Sequence, residues 1–180
     1  LVRAFASLRP SGEDAHLVLV GEGPLHLQFV ERARRLGVAS RIHFHGTDTD
    51  PTRLLPGIDV FVHPSESEGL PNAVLEAAAA GLPIVATDAG GTGEIVQSRV
   101  TGILVPVGAI DAMAMAIDEL RADRMERERL GIAARQHARK AFGMERFVGE
   151  TAALYRRLAA SVAPGSGGSG ADERPGGHVP

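Results

Sequence analysis

Cysteine is absent, which excludes disulfides and all thiol chemistry. Long apolar runs are absent too. The longest, Ala77 to Ala86, is broken by Gly81 and Pro83 and falls well short of the ~20 residues that a membrane-spanning helix needs. No sign of charge dominates: the formal net charge is -3, without the clustered Lys and Arg of a non-specific nucleic-acid binder. No signal-peptide pattern opens the chain, and neither does a methionine. Val2, Phe5, Ala6 and Leu8 have helical spacing with no capping residue before them, as expected of a helix that starts upstream in a longer protein.

What is present is regular alternation. Short β-branched runs at Leu17–Val20, Ile42–Phe44, Ile58–Val62, Ile84–Ala86 and Ile103–Val105 read as buried strands. Between and after them, amphipathic stretches at Leu25–Leu36, Pro71–Ala80, Ala109–Leu120, Arg124–Ala141 and Glu145–Ala160 read as helices. Near-continuous apolar strands alternating with helices predict an α/β domain: a Rossmann-like parallel sheet flanked by helices on both faces. With 44% hydrophobic residues over 180 positions, one core is affordable. Residues 1–161 are read as that domain. Residues 162–180, rich in Gly, Ser and Pro, have almost nothing to bury and are expected to form a disordered tail.

In such a sheet, ligands bind beyond the carboxyl ends of the strands. This directs attention to Gly21–Pro24, Gly46–Asp50, His63–Asn72 and Thr87–Glu94. The richest of these runs Pro64-Ser65-Glu66-Ser67-Glu68-Gly69-Leu70-Pro71-Asn72-Ala73-Val74-Leu75-Glu76-Ala77. A helix is expected to begin near Pro71, a favoured first-turn residue, and to end at Gly81. Its unbonded N–H groups then form an anion site. Glu68 lies before that site and Glu76 about 1.5 turns inside the helix, leaning back toward its start. Two carboxylates flanking an anion site match the layout of a sugar nucleotide, in which sugar hydroxyls, diphosphate and ribose hydroxyls follow in order.

Two glutamates separated by seven residues, in the setting Ser-Glu-Gly-Leu-Pro-Asn-x-x-Leu-Glu-Ala, resemble the signature of family 4 glycosyltransferases. The surroundings agree in order over roughly residues 1–160: Leu17–Pro24, Arg41–Gly46, Asp59–Ser65, Pro83–Asp88 with Gly90-Gly91, and Thr101–Val105. The resemblance implies the C-terminal, donor-binding half of a retaining GT-B enzyme, transferring a hexose from a UDP- or GDP-linked sugar to an acceptor hydroxyl. Glu68 would act at the donor sugar as the catalytic-site carboxylate. Gly69, Leu70, Pro71 and Asn72 would hold the distal phosphate and sugar, and Glu76 the ribose. His45, Gly46 and Thr47 would approach the base, and Gly21 and Gly23 would let the chain pass close to the donor. No metal or other cofactor is implied. The family's phosphate-neutralising Arg and Lys lie upstream of the Phe5 helix, outside the 180 residues, as does the N-terminal domain with the acceptor site. The same resemblance implies a cytoplasmic setting, with peripheral contact at the inner membrane face made through that missing domain. A departure stands at Thr92-Gly93, where the family commonly has a proline before the equivalent of Glu94.

Other features read more plainly. Asp48-Thr49-Asp50 before Pro51 suits a turn and helix cap better than a metal site. His43 and His45 share one strand face but lack a third ligand. Gly21-Glu22-Gly23 is not a dinucleotide fingerprint, because His26 stands where the third glycine belongs and Arg41 where the acid would follow. Arg121 to Arg139 is interleaved with acids and reads as a solvated helix face. His63 either approaches the donor or packs at its strand end. Gly90-Gly91 either lines the cleft or permits a tight turn. Two rival functions stay open: a donor-domain relic that binds a sugar nucleotide or a partner protein without turnover, and a GT-B-like sugar-nucleotide epimerase.

Overall fold

The computed structural model describes residues 1–9, 15–47 and 50–162. It divides into two units, Leu1–Gly143 and the chain from Met144 onward. Asp48, Thr49 and the segment after residue 162, where the tail was expected, lie outside the described residues.

The first unit alternates strand and helix: α1 (Val2–Ala6), β1 (Leu17–Val20), α2 (His26–Arg35), β2 (Ile42–Gly46), β3 (Phe61–His63), α3 (Asn72–Ala80), β4 (Ile84–Thr87), α4 (Thr92–Ile95), β5 (Ile103–Val105), α5 (Ile110–Ala122) and α6 (Arg124–Phe142). A 3-10 segment, Pro51–Gly57, leads into β3. From Met144 the second unit forms one helix, α7 (Met144–Val162).

Every strand pair is parallel. β1 pairs with β2, and β4 sits between β3 and β5. The parallel arrangement is the expected one; its division into two hydrogen-bonded groups is not visible from the alternation alone. β4 shows why its residues are all apolar or small. Val85 faces a core with Ile103, Met113, Ile117, Leu120 and Leu130. Ile84 and Ala86 face the opposite core with Val74, Ala77, Ile95, Val96 and Ala134. All four β4 residues are buried, as both faces of a helix-covered parallel strand must be. A third cluster, with Phe5, Ala33, Val38 and Ile42, seats β2 against α1 and α2.

Most boundaries fall within a residue or two of the expected ones, and two of the shifts have a local cause. The third strand begins at Phe61, not Ile58. Phe61 N–H donates to the Pro83 carbonyl at 3.0 Å, but Pro83 has no N–H to return, so the ladder cannot extend upstream. Pro71 is the cap residue of α3, not its first helical residue, with extended dihedrals of φ -74 and ψ 108. At the far end Gly81 closes α3 in the left-handed conformation, φ 86, as expected of a glycine at that place. The solvated face of α6 is laced by Arg124–Glu128 at 2.8 Å and Arg129–Glu126 at 2.6 Å. Such exposed pairs contribute little to stability.

Candidate functional site

The carboxyl ends of the parallel strands carry the expected residues in two groups. The first lies at the ends of β1 and β2. Gly21 N–H donates to the Gly46 carbonyl at 2.7 Å, in an isolated bridge beyond the ladder. Gly23, His45 and Gly46 line a small cleft of about 710 Å³ together with Glu22, His26 and Phe44. None of the latter three was expected as a donor-site residue. His26 packs edge-on against Phe44 at 5.0 Å between ring centroids, and its N–H donates to the Gly23 carbonyl at 3.0 Å. Position 26, which excluded a dinucleotide fingerprint, thus shapes this cleft. Thr47 follows β2 with an exposed side chain.

The second group lies between β3 and α3. β3 ends at His63, and the loop to Pro71 carries Glu68, Gly69 and Leu70. Val74 and Leu75 N–H groups both donate to the Pro71 carbonyl, at 3.1 and 3.2 Å. Asn72 and Ala73 precede those bonds and have no acceptor within the helix, as at any helix start. Leu70 is exposed, while Pro71 is buried. Glu76 is exposed and lines a larger cleft of about 1750 Å³, whose walls include His63, Ala73 and the β1 residues Leu17–Val20. Of the expected site residues, Glu76 lines this cleft; Gly23, His45 and Gly46 line the smaller one.

The loop holding Glu68 is fixed from beneath by the end of β4. The Thr87 hydroxyl donates to the Ser65 carbonyl and lies 3.3 Å from the His63 carbonyl. Gly91 N–H donates to the Gly69 carbonyl at 2.8 Å. Side chains at Gly90 or Gly91 would collide with the Glu68 and Gly69 backbone. Gly90-Gly91 thus serves close packing against the glutamate loop, a role that neither sequence reading contained.

Glu68 is the polar focus of this group. Its Oε1 lies 2.9 Å from His63 Nε2, with the two side chains 27% and 17% exposed, so the pair is largely shielded from water. Hydrogen bonds from the Ser65 hydroxyl and then from His63 hold the Glu68 carboxyl below the usual carboxylate range. It is a fixed, ionised acceptor at neutral pH. Elsewhere, His16 and His43 lie 3.0 Å apart through their ring nitrogens. Among the described residues, no three His, Asp or Glu side chains gather as a metal site. Nor is any described helix long and apolar enough to cross a membrane.

Residues 1–137 match the family model described as glycosyl transferases group 1. The chain belongs to that family. It is 31% identical over 155 residues to N-acetyl-alpha-D-glucosaminyl L-malate synthase of Bacillus anthracis, covering 86% of this chain and 40% of that protein. It is 37% identical over 146 residues to the GDP-mannose-dependent alpha-(1-6)-phosphatidylinositol monomannoside mannosyltransferase of Mycobacterium tuberculosis H37Rv, covering 76% and 38%. Among solved structures, Anabaena Alr3699/HepE in complex with UDP-glucose superposes with a TM-score of 0.76 at 26% identity, covering 89% of this chain and 44% of that one. Sucrose-phosphate synthase of Thermosynechococcus elongatus superposes with a TM-score of 0.79 at 27% identity, covering 89% and 41%. The fold is that of the C-terminal part of a GT-B glycosyltransferase. The chain spans about 40% of the length of these curated relatives.

Proposed function

We propose that this group 1 glycosyltransferase domain binds a nucleoside-diphosphate hexose, from which the enzyme it serves transfers the sugar to an acceptor hydroxyl with retention. The observation that carries the reading is the placement of Glu68. It is ionised, held by Ser65 and His63, and set just before the start of α3. In this reading Glu68 accepts hydroxyl hydrogen bonds from the donor sugar. The chain from Gly69 through Leu70 and Pro71 to Asn72 bends around the distal phosphate, whose charge meets the α3 start. Glu76 accepts from the ribose hydroxyls. Backbone at His45, Gly46 and Thr47 contacts the base, while Gly21 and Gly23 keep the β1 end free of side chains. The binding of UDP-glucose by HepE, a structural neighbour, supports a nucleotide-sugar ligand.

Retention fits front-face attack, in which the acceptor hydroxyl and the leaving diphosphate occupy the same side of the anomeric carbon. Positioning then supplies much of the rate. The acceptor site is assigned to the portion of the relatives' length that this chain does not cover, and so is membrane-face contact in a cytoplasmic setting.

The test is calorimetric titration of the chain with UDP-glucose, UDP-N-acetylglucosamine and GDP-mannose, with and without EDTA. Saturable binding of at least one, changed less than tenfold by chelation, is the expected result. Absence of binding to all three overturns the reading, and a larger EDTA effect overturns its metal-free form.

A further inference from the structure

We infer that His63 is a positioning residue for the donor sugar: it fixes one oxygen of Glu68 so that the other faces the ligand. The inference rests on the functional reading above and adds what the His63 contact does for the donor sugar.

Glu68 sits in a loop, outside any helix or strand. A glutamate there has several rotamers of similar energy, and only some aim its carboxylate at a ligand. His63 lacks that freedom. It ends β3 in register with Ala86 of β4, and its carbonyl lies 3.3 Å from the Thr87 hydroxyl. Its ring lies nearly parallel to that of Phe61, two residues earlier, with an interplanar angle of 11° and centroids 6.5 Å apart. Phe61 in turn packs on the core cluster of Ile84 and Ala86. The imidazole is therefore seated on the sheet, while its Nε2 reaches Glu68 Oε1 at 2.9 Å. With the Nε2 proton directed at Oε1, His63 leaves Oε2 able to accept from a sugar hydroxyl. His63 also lines the larger cleft, as does Glu76. A ligand that lacks the sugar has no group for Oε2 to meet. The contribution of His63 is thus specific to the sugar nucleotide.

The experiment compares wild type with His63→Leu, His63→Asn and His63→Gln. Affinities for UDP-glucose and UDP, and for GDP-mannose and GDP, are read by calorimetry on the 180-residue chain. Glutamine places an amide N–H about where Nε2 stood; asparagine falls one methylene short. Leucine and asparagine should each weaken the sugar nucleotide about tenfold while leaving the bare diphosphate within about twofold. Glutamine should restore the sugar nucleotide to within about threefold of wild type. If the leucine variant does not fold, the asparagine variant carries the comparison. Equal loss of both ligands, or no rescue by glutamine, overturns the assignment. A ligand-independent measurement separates this from failure of the functional reading. The Glu68 carboxyl carbon, followed by NMR, should titrate at higher pH in the donor-lacking variant than in wild type, and near wild type in His63→Gln. An unchanged midpoint shows that His63 does not hold Glu68, whatever the protein binds. Absence of any sugar-nucleotide binding by wild type overturns the functional reading, and the positioning role with it, even where the midpoint shifts.

Discussion

Gly90 packs so closely on Glu68 that a β-carbon at position 90 would lie 1.8 Å from the Glu68 carbonyl oxygen. Its neighbour Gly91 is in the same state, with a β-carbon falling 2.1 Å from the Gly69 carbonyl oxygen. Both clashes are with backbone, which no side-chain rotation relieves. Gly90 also has φ +53, where an alanine is strained whatever the space. Gly90→Ala and Gly91→Ala should therefore push the glutamate loop off β4. The expected result is a loss of about 2–3 kcal/mol in chemical denaturation, together with at least tenfold weaker sugar-nucleotide binding. Gly57→Ala, whose β-carbon meets nothing within 4 Å, should stay within about 0.5 kcal/mol. Wild-type stability in the Gly90 and Gly91 variants would contradict the packing described.

Thr87 ties the same loop from the side. Thr87 is 4% exposed, and its hydroxyl donates to the Ser65 carbonyl. Thr87→Val keeps the shape and removes the donor, leaving that carbonyl short of a partner. A loss of about 1–2 kcal/mol is expected, with Thr87→Ser recovering most of it. Urea denaturation of the three proteins decides; equal stability of the valine and threonine forms would show that the contact is idle.

How much of this was legible beforehand depends on the range of the interaction. The alternation of Leu17–Val20, Ile84–Ala86 and Ile103–Val105 with amphipathic stretches exposes the parallel α/β architecture, because burial on both faces leaves a local mark. Glu68 and Glu76 are legible through their spacing. The Gly90–Glu68 and Thr87–Ser65 contacts join segments 22 residues apart and leave no periodic trace. The late start of β3 was foreseeable in part, since Pro83 stands at the head of its partner strand, but only once the pairing is known. Nothing in the alternation separates β1 and β2 from the other three strands. Glu22, His26 and Phe44 were overlooked because their convergence depends on the Gly21–Gly46 bridge.

Thr92 offers a test in the opposite direction. Its Oγ1 is buried with no hydrogen-bond partner among the described residues, and the residue is 0% exposed. An unsatisfied buried hydroxyl costs about 1–3 kcal/mol. Thr92→Val has nearly the same shape and removes that cost, so the variant should be about 1 kcal/mol more stable in denaturant. A destabilised variant would mean that the hydroxyl has a partner after all.

The lowered pKa of Glu68 has a defined acid signature. Ser65 and His63 stabilise its ionised form in the folded state, whereas an unfolded glutamate titrates at about 4.3. The unfolded chain therefore binds this proton first as pH falls. The stabilisation is fully present above about pH 4.3 and is lost as pH drops through the folded value below it. Glu68→Gln should thus run parallel to wild type in stability from pH 7 to about 5. Below about pH 4.3 the wild type should lose stability faster than the variant. A wild type that loses stability no faster than the variant below about pH 4.3 would contradict the lowered pKa.

The two glutamates should separate by ligand. Glu76 lies inside α3, one side chain along from Leu75, and faces the cleft; in the proposed layout its partner is ribose. Ribose is common to a sugar nucleotide and a bare nucleoside diphosphate, so Glu76→Ala should weaken both by a similar factor, about tenfold for one charge-assisted contact of roughly 1.4 kcal/mol. Glu68 is placed at the sugar. Glu68→Ala should leave UDP or GDP within about twofold of wild type and weaken only the sugar-bearing forms. In a complete enzyme the contrast sharpens. Interactions at the reacting sugar strengthen as charge develops on the anomeric carbon, so Glu68→Ala should lower kcat more than it raises KM. Glu76→Ala removes binding that the ground and transition states share, and should act mainly on KM. Calorimetry with the diphosphate and its sugar ester, on both variants, is sufficient to decide. Equal loss of bare diphosphate affinity in the two variants would place Glu68 beside the nucleotide rather than the sugar, and reverse the direction in which the donor lies across α3.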